Sequence, residues 1–184
     1  SSAEFERLVA ENQDNALFVI ASGNHNKSSI SSPADLAKED TKEKNNVVAV
    51  GSSWGAKDWN NNPKTPGERI DYGDWWGSNY GEGLTVTAPS EFLATSATKN
   101  SSGQFDFGYN NKFNGTSAST ANVSGVASLV WSVNSNLTAG QVKAIISDTA
   151  YDLGLTGNNE VGNGFINADA AVRRALAIAR GFTA

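Results

Sequence analysis

Three short apolar runs constrain this chain more than any other feature: Ala16-Leu17-Phe18-Val19-Ile20, Val47-Val48-Ala49-Val50 and Leu84-Thr85-Val86-Thr87-Ala88. A strand with one wet face alternates apolar and polar residues, whereas a strand covered on both faces has no need to. Each run is bounded by Gly, Pro, Ser or Asn, so all three are expected to be buried parallel strands. Four segments read as helices, one before the runs and three after them. Behind Ser2 as a cap, Phe5, Leu8 and Val9 recur at helical spacing. From residue 118 to about 133, Val123, Val126, Val130 and Val133 form one stripe among Ala, Ser and Gly, a surface built for close approach. Thr138-Ala139-Gly140-Gln141 is a capping box bracketed by Leu137 and Val142. The last helix follows Asn167, runs through Val172, Ala175, Leu176 and Ala179, and stops at Gly181. Strands alternating with helices give an α/β domain with a parallel sheet.

Composition narrows the function. The 184 residues hold 14 Lys+Arg against 19 Asp+Glu, a net charge of −5, with no basic cluster, so neither nucleic acid nor an anionic membrane surface is expected as a partner. No run approaches the roughly 18 apolar residues of a membrane span, and Ser1-Ser2-Ala3-Glu4 is not the start of an export signal. The absence of cysteine excludes disulfides, thiolate metal sites and a Cys nucleophile, and the single histidine, His25, excludes a His-cluster metal site. With no methionine, a processed chain or a piece of a longer one is expected. Two long polar stretches, 51–80 and 90–114, interrupt the periodic elements. Trp54, Trp59, Trp75 and Trp76 are expected to pin the first to the core; stacking on a sugar or another ligand is the less favoured alternative.

The chemistry concentrates in two places. In Asn114-Gly115-Thr116-Ser117-Ala118-Ser119 a turn feeds straight into a helix of small residues, which puts Ser117 where free N–H groups and the positive end of the helix dipole face its oxygen. That position suits a nucleophile, and it equally suits a plain N-cap. In Ala21-Ser22-Gly23-Asn24 a carboxamide sits at the C-terminal end of a strand, the edge where open α/β sheets build their sites. Asn24 can donate an N–H to a developing oxyanion there, or simply serve a turn.

Taken together, the two segments resemble the subtilisin-like serine proteases, in which an Ala-x-Gly-Asn strand end supplies the oxyanion-hole Asn and a later Gly-Thr-Ser carries the nucleophile. The likeness extends to Asn46-Val47-Val48-Ala49-Val50-Gly51 as a core strand, Ser78-Asn79-Tyr80-Gly81 as a Ser-x-x-Gly turn, Leu84–Pro89 as the strand ending in Ala-Pro, and Gly162-Asn163-Gly164-Phe165-Ile166-Asn167-Ala168 before the final helix. The resemblance implies a parallel-sheet, three-layer α/β fold of which residues 1–184 are the C-terminal portion. It also implies a serine endopeptidase acting on polypeptides, with Ser117 as nucleophile and Asn24 and the Ser117 N–H as oxyanion donors. Ala21, Ser22 and Gly23, with Ser32, Pro33 and Ala34, match the segments lining the pocket for the residue before the scissile bond. No cofactor is needed for the chemistry; structural calcium is compatible with the family, and Asp58, Asp71 and Asp74 lie in the first long loop. Secretion to an extracellular or periplasmic space is the compatible location.

The chain also departs from the family. After the nucleophile the family continues with Met and Ala-x-Pro-His, where this chain has Ala118, Ser119-Thr120, Ala121 and Asn122. The family's Asp and His precede the oxyanion Asn, yet only one aspartate, Asp14, and no histidine lie before Asn24. His25 is a poor base, because the direct neighbour of Asn24 in an extended segment points to the other side. The expectation is that an upstream segment or a second chain supplies the Asp and His, and that the incomplete portion lacks sheet layers and exposes a sheet edge. The alternative is a catalytically inactive subtilase-like binding or scaffold module.

Overall fold

The computed structural model describes residues 1–38, 46–155 and 159–182. Three parallel strands form the central sheet: β1 (Phe18–Ala21), β2 (Val47–Ser53) and β3 (Val86–Pro89), in that spatial order, with Val19 opposite Val48 and Val50 opposite Val86. All seven residues of β2 are buried. Its alternate side chains enter two different cores, Val48 and Val50 on one face and Val47 and Ala49 on the other. This two-sided burial is why the run shows no polar alternation.

On the first face lie α2 (Thr116–Val133), α3 (Ala139–Asp148) and α4 (Ala168–Ala179). The predicted stripe of α2 does the packing, with Val123 and Val130 fully buried among Val142, Ile145, Ile146 and Ala175. On the opposite face α1 (Ala3–Glu11) contributes Val9, and a short 3₁₀ turn (Ala34–Lys38) contributes Ala34, Leu36 and Ala37. The caps expected at Ser2, Thr138 and Asn167 all form, Thr138 and Gln141 making the reciprocal capping box.

Two expectations need correction. The layers flanking β2 are present within this chain, so what stays open is an edge: among the described residues β1 pairs with β2 alone, whereas β3 is partly covered by Phe165, with Ile166 N–H donating to Thr87 O at 2.8 Å. The polar stretch 90–114 is no loop but an antiparallel ribbon, β4 (Phe92–Lys99) and β5 (Phe105–Phe113), turning through Asn100–Gly103. It is largely exposed, and Phe105, Phe107 and Tyr109 stand in water on alternate positions.

Ile146 is fully buried between the helices. Ile146→Ala is expected to cost about 2–5 kcal/mol, and Thr138→Ala only about 1 kcal/mol through the lost cap; urea unfolding of the two variants checks the ranking.

Candidate active site

The N-terminus of α2 is fixed at the C-terminal end of the sheet by buried polar contacts. Ser119, fully buried, donates its hydroxyl to Ala88 O at 2.9 Å and lies 2.8 Å from the Ser52 hydroxyl of β2. Asn122 Nδ2 donates to Pro89 O at 2.9 Å, and the Ser90 hydroxyl donates to Gly115 O at 2.9 Å. Two of the residues by which the chain departs from the subtilisin-like pattern after the serine, Ser119 and Asn122, thus clamp the helix to β2 and β3. Ser117, the second residue of α2, is exposed on this anchored turn. The N-cap is Gly115, with φ 85 and ψ 169 and no side-chain cap, so neither Thr116 nor Ser117 fills that role. The Ser117 N–H belongs to the first turn and has no carbonyl partner within the helix.

Asn24 lies three residues beyond β1 and is joined directly to this turn. Its Oδ1 accepts both the Thr116 N–H and the Thr116 hydroxyl, each at 2.8 Å. The same hydroxyl oxygen accepts the Gly23 N–H at 3.3 Å. With the carbonyl end of the carboxamide committed, its NH₂ end is the one left to donate. Sequence offers Thr116 only as an N-cap, alongside Ser117, and its bonds to Asn24 went unforeseen; the signal available was its place directly before Ser117.

Of the other predicted residues, Ser22 and Gly23 form one wall with Asn79. Ser22 is fully buried, donating its hydroxyl to Asn79 O at 2.9 Å, and its carbonyl accepts the Ser31 N–H at 2.8 Å. Asn79, also buried, ties this wall together: Oδ1 accepts the His25 and Lys27 N–H groups at 3.0 and 3.1 Å, and Nδ2 donates to the Ser31 hydroxyl at 3.0 Å. Gly23, at φ 107, is pressed so close that a Cβ would stand 2.4 Å from Asn79 Nδ2. Ala21 and Pro33 are half-buried, Ser32 is exposed, and Ala34 is fully buried in the core behind the wall. His25 is exposed and its backbone pairs with Gly77.

The long loop beside this wall carries the carboxylates considered for calcium. Asp58 accepts from the Asn60 and Asn62 backbones and from Asn62 Nδ2 at 2.9–3.0 Å; the Asn62 side chain chiefly holds its pKa below the ordinary value. Burial pushes Asp71 upward, but bonds from Gly73, Asn26 and Arg69 outweigh it and leave the carboxyl lowered. Among the described residues no group of three or more His, Cys, Asp or Glu could hold a metal ion. Tyr72 donates its hydroxyl to Glu91 in a short bond, and burial first, then Glu91, raises the phenol's pKa.

The family model of the subtilase family, peptidase S8, matches residues 1–164. The chain belongs to the subtilase family. Alkaline elastase YaB of Bacillus sp. (strain YaB) is 34% identical over 173 residues, covering 94% of this chain and 37% of the elastase. Subtilisin BL of Lederbergia lenta is 35% identical over 173 residues, 94% of this chain and 52% of the subtilisin. Among solved structures, a protease of Pseudoalteromonas arctica superposes with a TM-score of 0.66 at 25% identity, over 95% of this chain and 47% of that one. This subtilase chain therefore spans about half the length of the curated relatives it matches, or less. Along β1, on the sheet edge left open, a groove of about 590 Å³ is lined by apolar side chains including Phe5, Val19, Ala127 and Trp131. Among the described residues no helix is long and apolar enough to cross a membrane.

A Cβ at Gly115 would stand 3.3 Å from Asn24 Nδ2, on a backbone with positive φ. Gly115→Ala is expected to destabilise by about 1–3 kcal/mol and to displace the Asn24 carboxamide, which urea unfolding and a crystal structure of the variant would register. Because the Tyr72 pKa is raised, the Tyr72–Glu91 bond is retained below the ordinary phenol pKa near 10 and lost only as pH climbs through the higher folded value. An ultraviolet titration should show one phenolate transition well above the usual tyrosine range, and Tyr72→Phe should delete it.

Proposed function

We propose that the protein to which this chain belongs is a serine endopeptidase, with Ser117 as nucleophile and with an Asp and a His supplied by an upstream segment or a second chain. The observation that carries this reading is the pair of 2.8 Å bonds from Thr116 to Asn24 Oδ1. They orient one amide donor beside the serine and leave the serine's own N–H as the second. A peptide carbonyl lying over Ser117 is attacked by Oγ as the imported imidazole takes the hydroxyl proton and the imported carboxylate orients that imidazole. The negative charge arising on the carbonyl oxygen is received by Asn24 Nδ2 and the Ser117 N–H at the positive end of α2. Collapse breaks the C–N bond, the amine leaves with the proton from the imidazole, and an ester remains on Ser117. Water, deprotonated by the same imidazole, attacks that ester and returns the serine. None of these steps calls for a cofactor.

The open β1 edge and the apolar groove along it support a missing partner segment, since an unpaired strand edge beside apolar surface is costly to leave in water. Ala21–Gly23 and Ser32–Ala34 would shape the pocket for the residue before the scissile bond, the buried members acting through backbone position. Export to an extracellular or periplasmic space fits a cysteine-free chain rich in Asn, Ser, Gly and Thr.

In the complete protein a fluorophosphonate probe should label Ser117, and Ser117→Ala should abolish labelling. Labelling that survives the substitution would remove the nucleophile, and a complete protein that never labels would favour an inactive module. Asn24→Ala is expected to lower kcat by about 10²–10³ with a smaller change in KM, the loss subtilisin itself shows when its side-chain donor is removed; steady-state kinetics on a peptide substrate measures it.

A further inference from the structure

The tryptophans of the long loop fall into two tiers. Trp54 and Trp76 are 5% and 8% exposed and pack with Ile70, which is the pinning role expected of them. Trp59, Tyr72 and Trp75 form an outer tier, with ring centroids of Trp75 5.4 Å from Trp59 and 5.0 Å from Tyr72. Pinning does not account for Trp75, which is itself 60% exposed. The tier is attached to both segments of the site. Gly77, two residues after Trp75, donates its N–H to Asn24 O at 3.3 Å and accepts the Asn26 N–H at 2.9 Å. Glu91, just before β4, accepts the Trp59 N–H at 2.8 Å and the Tyr72 hydroxyl. Lys112 of β5, five residues before Ser117, places its Nζ 6.0 Å from the Trp59 ring.

The loop already places cations on its rings, Lys64 at 4.5 Å from the Trp54 centroid and Arg69 at 4.4 Å from that of Tyr80. Its charge is one-sided as well. Between residues 58 and 91 the sequence has six acidic residues, Asp58, Glu68, Asp71, Asp74, Glu82 and Glu91, against two basic ones, Lys64 and Arg69, with Lys112 adding a cation from β5. An exposed indole among carboxylates attracts a cation through its ring quadrupole and through the local field together.

We propose that the outer tier is an extended substrate subsite, with Trp75 as its open ring and Asp74 and Glu91 as its negative rim, which takes a Lys or Arg side chain of the polypeptide some residues away from the scissile bond. The proposal rests on the serine-protease reading. It is tested in the complete protein with internally quenched peptides that differ only in carrying Arg or Gln, the residue being moved stepwise along each side of the cleaved bond. The expected result is a preference for Arg of about three- to tenfold in kcat/KM at one position, falling as salt is raised. That ratio should collapse toward one in Trp75→Ala and shrink in Asp74→Asn. Equal cleavage of Arg and Gln peptides at every position, or a ratio unchanged in Trp75→Ala, would overturn it. If neither peptide is cleaved, the protease reading fails by itself, and the subsite is read from tryptophan fluorescence as the peptides are titrated into the Ser117→Ala protein. Quenching by the Arg peptide alone supports the subsite; equal quenching by both peptides, no quenching, or quenching only by an oligosaccharide overturns it.

Discussion

Everything in this structure depends on one strand being dry on both sides. β2 alternates its side chains between two cores, Val48 and Val50 under the helices α2–α4 and Val47 and Ala49 toward α1 and the 3₁₀ turn. A strand in that position cannot leave backbone groups unpaired, so it needs a neighbour on each side, and β1 and β3 meet that need in parallel register. Among the described residues, the connections that parallel pairing demands carry the 3₁₀ turn between β1 and β2 and the long loop between β2 and β3. They also bring the ends of all three strands to one rim, where Asn24, Ser52 and Pro89 converge on the start of α2.

At that rim, polarity rather than apolar packing sets the positions. Ser119, Asn122 and Ser90 reach strand-end and turn carbonyls, and each bond lies in a setting where an unmade one would be expensive. The subtilisin-like pattern has Ala and His where Ser119 and Asn122 stand. Side chains other than those of the pattern therefore secure the start of α2 to the strand ends here.

The sheet was legible from sequence because burial on both faces writes continuous apolar runs, though β1 and β3 begin two residues later than those runs do. Leu17 and Leu84 belong to the approach to each strand and not to the ladder, which periodicity alone does not separate. Helices α1, α3 and α4 were legible through their caps at Ser2, Thr138 and Asn167, and α2 through its valine stripe. The β4–β5 ribbon was missed because it is largely exposed, so its strands mix polar and apolar residues without a buried face to pattern them; only the alternation Phe105-Asp106-Phe107-Gly108-Tyr109 hinted at it. At the site, Asn24 and Ser117 were legible as residue types at particular places, while Thr116 and Asn79 act through partners about 50 to 90 residues distant in sequence, and no local pattern encodes such bonds.

The first turn of α2 is served by Asn24, a residue 92 positions earlier in the chain, and not by a side chain at its own N-cap. A helix capped locally can nucleate alone; this one gains its cap only after the sheet edge has arrived. The proposed donor is in turn oriented only after the helix has formed. Assembly of the fold and assembly of the site are thus a single cooperative event, and a half-formed molecule has neither a settled helix start nor an aimed amide.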